Sequence, residues 1–180
     1  FTSSPVIGHN LSGFVSFTGD FTMTSRLLTS WSDHDNAFRE ILARAERSID
    51  VFDKDLQRLP FEAREQAEIL RQFLVVDDRR RLRIVLRDPE PFRRNSPRLM
   101  RLLADYPQRM QVQECSPQLA SLSASMFIVD GQHALIRFHQ DNVRSKRLDD
   151  DSNECQPYSQ RFAEILREGD EQISATTLGL

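Results

Sequence analysis

Two rhythms of apolar positions alternate along the chain. Runs with a period near two, "RLLTSW" (26–31), "SIDVFDKDL" (48–56), "RLRIVLRD" (81–88) and "RMQVQECS" (109–116), read as strands. Helical periods separate them. In "SDHDNAFREILARAERS" Phe38, Ile41, Leu42 and Ala45 share one face, with Ser32 or Asp33 as N-cap. "PFEAREQAEILRQFLV" (60–75) predicts a helix opened by Pro60, and "SPRLMRLLADYP" (96–107) one opened by Ser-Pro and closed by Pro107. "LSASMFIVDGQHALIRF" (122–138) reads as two strands joined by a tight turn at Asp130-Gly131. "QPYSQRFAEILREGDEQI" (156–173) closes the series as a helix with Phe162, Ile165 and Leu166 inward. The polar, charge-alternating "DNVRSKRLDDDSNEC" (141–155) is expected to be a loop, a candidate lid or partner contact.

Strands alternating with helices imply an α/β domain: a mixed, mostly parallel sheet with helices on both faces. The expected domain is 26–173, with 174–180 as a tail. Residues 1–25 are nearly uncharged and read as an arm, a linker or a tag remnant, with a candidate hairpin around Thr18-Gly19-Asp20.

Composition narrows this picture. At 180 residues, 39% hydrophobic and 28% charged, the chain suits one ordinary globular domain. A net charge of −3 argues against a protein that coats nucleic acid over its whole surface. No run is apolar enough to span a bilayer and no signal peptide is visible, so a cytoplasmic setting is expected. Two cysteines, Cys115 and Cys155, do not make a disulfide framework. Cys155 falls near the start of a predicted helix, where a thiol pKa drops. No His/Cys cluster has metal-ligand spacing, and no glycine-rich phosphate loop is present; neither metal nor cofactor is expected.

The strand "SASMFIVDG" (123–131) carries the chemical question. The order strand–helix–strand–helix–strand–hairpin–helix with "MFIVDG" at the hairpin resembles one half of the phospholipase D superfamily. In that superfamily the hairpin strand bears His-x-Lys-x-x-x-x-Asp, and two halves face each other across one phosphate. Residues i and i+2 of a strand share a face, so a nucleophile and a cation at that spacing meet the same phosphate. Counting back from Asp130 places Ser123 where the family has His and Ser125 where it has Lys. "RFHQDN" likewise has no match to the Gly-Ser-x-Asn that often follows. The resemblance extends to uncharacterised bacterial halves with a "VDG" strand, some beside acetyltransferase domains. It implies a domain that has lost its nucleophile and binds rather than catalyses. Ser123, Ser125, Asp130 and His139 are the candidate ligand-binding residues, for a small anionic ligand. The resemblance also implies a homodimer, a protein partner or a fused domain.

Two further readings stand beside it. His139 with Asp141 and Ser123 or Ser125 is a candidate hydrolase couple, although no G-x-S-x-G elbow supports it. Between Asp77 and Arg101 stand nine arginines against four acids. Arg83, Arg87, Arg93, Arg94, Arg98 and Arg101 form a candidate basic patch for phosphate groups of nucleic acid. Phe92 is the only aromatic within that run, too few for base stacking, and a solvated or self-paired face is the favoured reading.

Overall fold

The computed structural model describes residues 25–175. The elements run β1 (Ser25–Leu28), α1 (Trp31–Ala43), β2 (Ser48–Asp53), α2 (Arg64–Val76), β3 (Arg81–Leu86), α3 (Glu90–Asn95), α4 (Pro97–Asp105), β4 (Met110–Glu114), β5 (Ser125–Val129), β6 (His133–Arg137), β7 (Ser145–Leu148) and α5 (Ser152–Glu168). The candidate hairpin at 18–20 lies outside the described residues.

The seven strands form one sheet in the order β1-β7-β6-β5-β2-β3-β4. β2–β3 and β3–β4 pair in parallel; the other four neighbouring pairs are antiparallel. The sheet is therefore mixed, as the pattern implied. Five strands share one direction, yet most adjacent contacts are antiparallel, because β5 and β7 are interleaved among them.

Alternation along the strands sorts side chains onto two covered faces. Ile49, Val51, Ile84, Val112 and Phe127 pack with α1, α2 and α4 in one cluster. Phe52, Val85, Met126, Ile128 and Ile136 pack under α5 in a second, against Cys155, Phe162 and Ile165. Both faces are dry, so β2 and β5 read as nearly continuous apolar runs. Where a charge enters such a strand it is paired. Asp50 faces Arg83 in register and receives two of its nitrogens at 2.7 and 2.8 Å. Burial pushes the Asp50 carboxyl above its usual range, with Arg83 opposing.

Several boundaries differ from the sequence pattern for identifiable reasons. Helix α1 begins at Trp31, because the Ser30 hydroxyl, not Ser32 or Asp33, caps it through the Asp33 N–H at 3.1 Å. Helix α2 begins at Arg64 rather than Pro60. The intervening Glu62 instead accepts the Arg98 and Leu99 N–H groups at the start of α4, at 2.9 and 3.2 Å. Residues 141–155 are not one loop. Ser145–Leu148 form β7, the strand that joins β1 to the sheet. Its core-facing Arg147 disguised it: the guanidinium is buried only because Asp149 and Glu40 accept from it. Helix α5 starts at Ser152, capped by Asp151 through the Glu154 N–H at 2.9 Å, and it carries Pro157 in its second turn.

Asp130 and Gly131, at φ 56° and 66°, make the expected tight turn between β5 and β6. The Asp130 carboxylate does more than pin its own turn. It accepts the Glu46, Arg47 and Ser48 N–H groups at 3.0, 2.7 and 2.8 Å, and so anchors the α1–β2 connection to the hairpin. Removing an acceptor of three backbone donors at this partly buried position should cost about 2–4 kcal/mol for Asp130→Ala, and roughly half that for Asp130→Asn, which keeps one oxygen and tolerates positive φ. Urea denaturation of the two variants measures it.

Cys155 is fully buried, and burial pushes its thiol up to about 12, which outweighs any lowering from the helix start and leaves an unremarkable free thiol. Cys115, also buried, is raised for the same reason. Neither thiol should react with Ellman's reagent at pH 8 until the protein is unfolded. Because the folded thiol binds its proton more tightly than the unfolded one, the stability Cys155 contributes is complete below its ordinary value of 9.0. It is lost as pH climbs toward 12. Denaturation followed from pH 8 to 11 tests that sign.

Candidate functional site

The carboxyl edge of the parallel strands, where β5 enters antiparallel beside β2, gathers polar groups in a dry setting. An α/β sheet presents ligands at such an edge, where strand order switches. Asp53 closes β2, Ser125 opens β5 and Arg137 closes β6. Ser125 and Arg137 are direct cross-strand partners, and all three point to the α1 side of the sheet. Their placement follows from register alone.

All three are buried, with Asp53 at 0%, Arg137 at 2% and Ser125 at 3% exposure. One carboxylate oxygen of Asp53 accepts the Ser125 hydroxyl at 2.5 Å and an Arg137 nitrogen at 2.9 Å. The other accepts the Asp55 and Leu56 N–H groups at 3.3 and 2.8 Å. That bond holds Leu56 at φ 65°, a left-handed conformation uncommon for a branched side chain.

Helix α1 supplies the roof. Its first turn places Trp31 with its ring centroid 5.7 Å from the Arg137 guanidinium carbon, and Arg58 from the β2–α2 loop lies over the same indole at 4.4 Å. His34 meets Trp31 edge-on at 5.4 Å between ring centroids. Burial pulls the His34 imidazole below its ordinary value; its hydrogen bond to Asp35 opposes this and the Arg137 charge adds to it. Arg87 follows β3, its guanidinium over Phe52 at 5.4 Å and its N–H bonded to the Asp53 carbonyl. Burial lowers the Arg87 pKa; Asp53 opposes, and Arg137 is close enough to add to the lowering.

Two guanidiniums thus approach one fully buried carboxylate, with the half-buried Asp55 acting on Arg87 from beyond it. Nε and Nη1 of Arg137, Nε and Nη2 of Arg87 and the Ser116 hydroxyl are buried with no hydrogen-bond partner among the described residues. Buried donors are nearly always paired, so each of these five lacks an acceptor that the rest of the interior supplies.

The residues singled out by sequence divide. Ser125 is in the site, its hydroxyl committed to Asp53. Ser123 precedes β5 at the same edge, half-buried. His139 lies in the β6–β7 connection, exposed, with Asp141 its ionic neighbour at 3.8 Å. Asp130 is at the opposite end of β5, five strand residues or about 16 Å from Ser125. The arginine run is dispersed. Arg83 pairs with Asp50, Arg93 and Arg94 with Glu90, Arg98 with Glu62 and Arg101 with Asp105. Arg94 stands on α3, so it does not continue the Arg98–Arg101 face of α4. Only Arg87 joins the site. Asp53, His34, Trp31 and Arg137 went unrecognised. A lone charge ending an apolar run, as in "SIDVFD" and "HALIR", was the available signal. Among the described residues no group of three or more His, Cys, Asp or Glu is placed to hold a metal, and no helix is long and apolar enough to cross a membrane.

Three solved structures share this fold. An archaeal chromatin protein, TrmBL2, whose structure is described as showing a novel mode of DNA binding, matches at TM-score 0.61 and 11% identity over 85% of this chain. The chain spans 56% of that protein. The phospholipase D family member Nuc from Salmonella typhimurium matches at TM-score 0.56 and 12% identity, over 83% of this chain and 99% of Nuc. NucT from Helicobacter pylori matches at TM-score 0.51 and 15% identity, over 81% and 96%. At these identities the likeness is one of fold, and that fold is phospholipase D-like. No curated protein matches by sequence. A family model does, across residues 30–174, and the chain accordingly belongs to the family described as Domain of unknown function (DUF7931).

Proposed function

We propose that this domain is a non-catalytic, phospholipase D-like binding module that takes a phosphate-like anion at the carboxyl edge of its sheet. One observation carries the reading: Arg137 is buried with two guanidinium nitrogens unpartnered, and the partly buried Arg87, over Phe52 on the α5 side of the sheet and near enough for its charge to be felt, has two more. An oxyanion with several acceptor oxygens satisfies such donors with charge-assisted bonds. It also offsets the surplus positive charge that two arginines leave against Asp53.

The same geometry supports the non-catalytic part of this reading. Ser125 stands where the superfamily carries its lysine, and its hydroxyl donates to Asp53. A carboxylate already accepting an arginine and two N–H groups is a poor base for activating it. His139 is exposed, with Asp141 beside it, and has no bond to either serine.

Nucleic-acid binding is the second reading, favoured by the archaeal chromatin neighbour. Five of the six arginines proposed for it are within 4.0 Å of a carboxylate, which leaves little charge to release counterions.

Inorganic phosphate at a concentration well above its dissociation constant should raise the melting temperature by several degrees relative to chloride of equal ionic strength. Arg87→Gln should remove that shift while leaving the Asp53–Arg137 bond intact. The same preparation should show no turnover of bis(p-nitrophenyl) phosphate. A phosphate shift of equal size in Arg87→Gln, or none in the unmodified protein, overturns the reading.

A further inference from the structure

Beside the anion site lies a hollow of about 120 Å3 lined by Trp31, Asp35, Gln57, Arg58 and Pro60. It shares Trp31 with the buried arginine: both Arg58 and Arg137 lie against that indole, at 4.4 and 5.7 Å from its centroid. We propose that this hollow receives the base of a nucleoside 5′-monophosphate whose phosphate is held by Arg137 and Arg87. The inference rests on the anion reading above and names its ligand class.

Three features support a base here. Trp31 is half-buried, one face of its ring is covered by a flat guanidinium, and that guanidinium belongs to the exposed Arg58. A planar, mobile cation stacked on an indole occupies the place a planar base would take, and Arg58 is free to swing toward the phosphate. The rim has edge chemistry as well. Asp35 is an acceptor, with its side chain 41% exposed, and the Gln57 amide both donates and accepts. A base edge rich in N–H donors, guanine above all, matches Asp35. The hollow admits one ring system and no more.

The spacing is short. The Arg58 and Arg137 guanidinium carbons can be no further apart than their two distances to the indole laid end to end. A base that replaces Arg58 therefore stays within a nucleotide's length of Arg137. The loop bearing Arg58 starts at the Asp55 and Leu56 N–H groups held by Asp53, the same carboxylate that binds Arg137.

Equilibrium dialysis with GMP, ribose 5-phosphate, guanosine and inorganic phosphate separates the parts. GMP should bind about tenfold more tightly than ribose 5-phosphate, the stacking contribution of one base. It should also quench the fluorescence of Trp31, the chain's one tryptophan. Trp31→Leu should bring GMP down to the ribose 5-phosphate level. If that variant does not fold, the GMP and ribose 5-phosphate comparison on the unmodified protein decides alone. Equal binding of those two overturns the base position while the anion site stands. No binding of phosphate or GMP overturns the anion reading beneath it. A 5′-phosphorylated tetranucleotide distinguishes the source: binding tighter than GMP assigns the ligand to the end of a strand, weaker binding to the free nucleotide, and either retains the class.

Discussion

The Asp53 carboxylate is the point on which the carboxyl edge of this fold depends. It ends β2, the strand at which the parallel and antiparallel halves of the sheet meet. Through one oxygen it ties β5 and β6 by way of Ser125 and Arg137; through the other it sets the first residues of the β2–α2 loop. A charge at 0% exposure survives only with such complete satisfaction. Its neighbours do not share that completeness. Arg137 spends one nitrogen on Asp53 and keeps two buried ones without partners, and Arg87 adds two more. The carboxylate is fully satisfied and the guanidiniums are not.

The opposite end of the β5–β6 hairpin is stabilised by the same kind of interaction and has no such deficit. Asp130 satisfies three backbone donors and holds α1–β2 against the turn. The two carboxylates thus secure the two ends of the central strands. Asp130 is a structural anchor, while at the other end of β5 Ser125, Asp53 and Arg137 form a buried, hydrogen-bonded cluster.

The helical layer explains how such a buried edge is reached. Trp31 and His34 lie over Arg137 from the first turn of α1, and Arg58 lies on Trp31 from outside. An exposed guanidinium stacked on a half-buried indole is the weakest-held part of that cover, since Arg58 has solvent on one side and no carboxylate partner at its tip. Access to Arg137 therefore runs past Trp31 rather than through the apolar clusters on either face, whose close packing leaves no route.

The strand and helix order, the two-faced burial of β2 and β5 and the Asp130-Gly131 turn were legible in the chain, because periodicity and turn stereochemistry act over a few residues. Residues 145–148 were not legible as a strand: Arg147 reads as polar until Glu40, more than a hundred positions away, is brought to it. Helix α2 started late because Glu62 was claimed by the amino end of α4. The site itself was half legible. Ser125 could be placed by counting, but Asp53, Arg137 and Arg87 are chain-distant residues joined by register, and the run of nine arginines concealed that only one of them lies at the edge. The sequence by itself determined which segments could be strands and helices; only the tertiary structure decided which charges are paired and which are left wanting a partner, because pairing and burial depend on distances that no local pattern encodes.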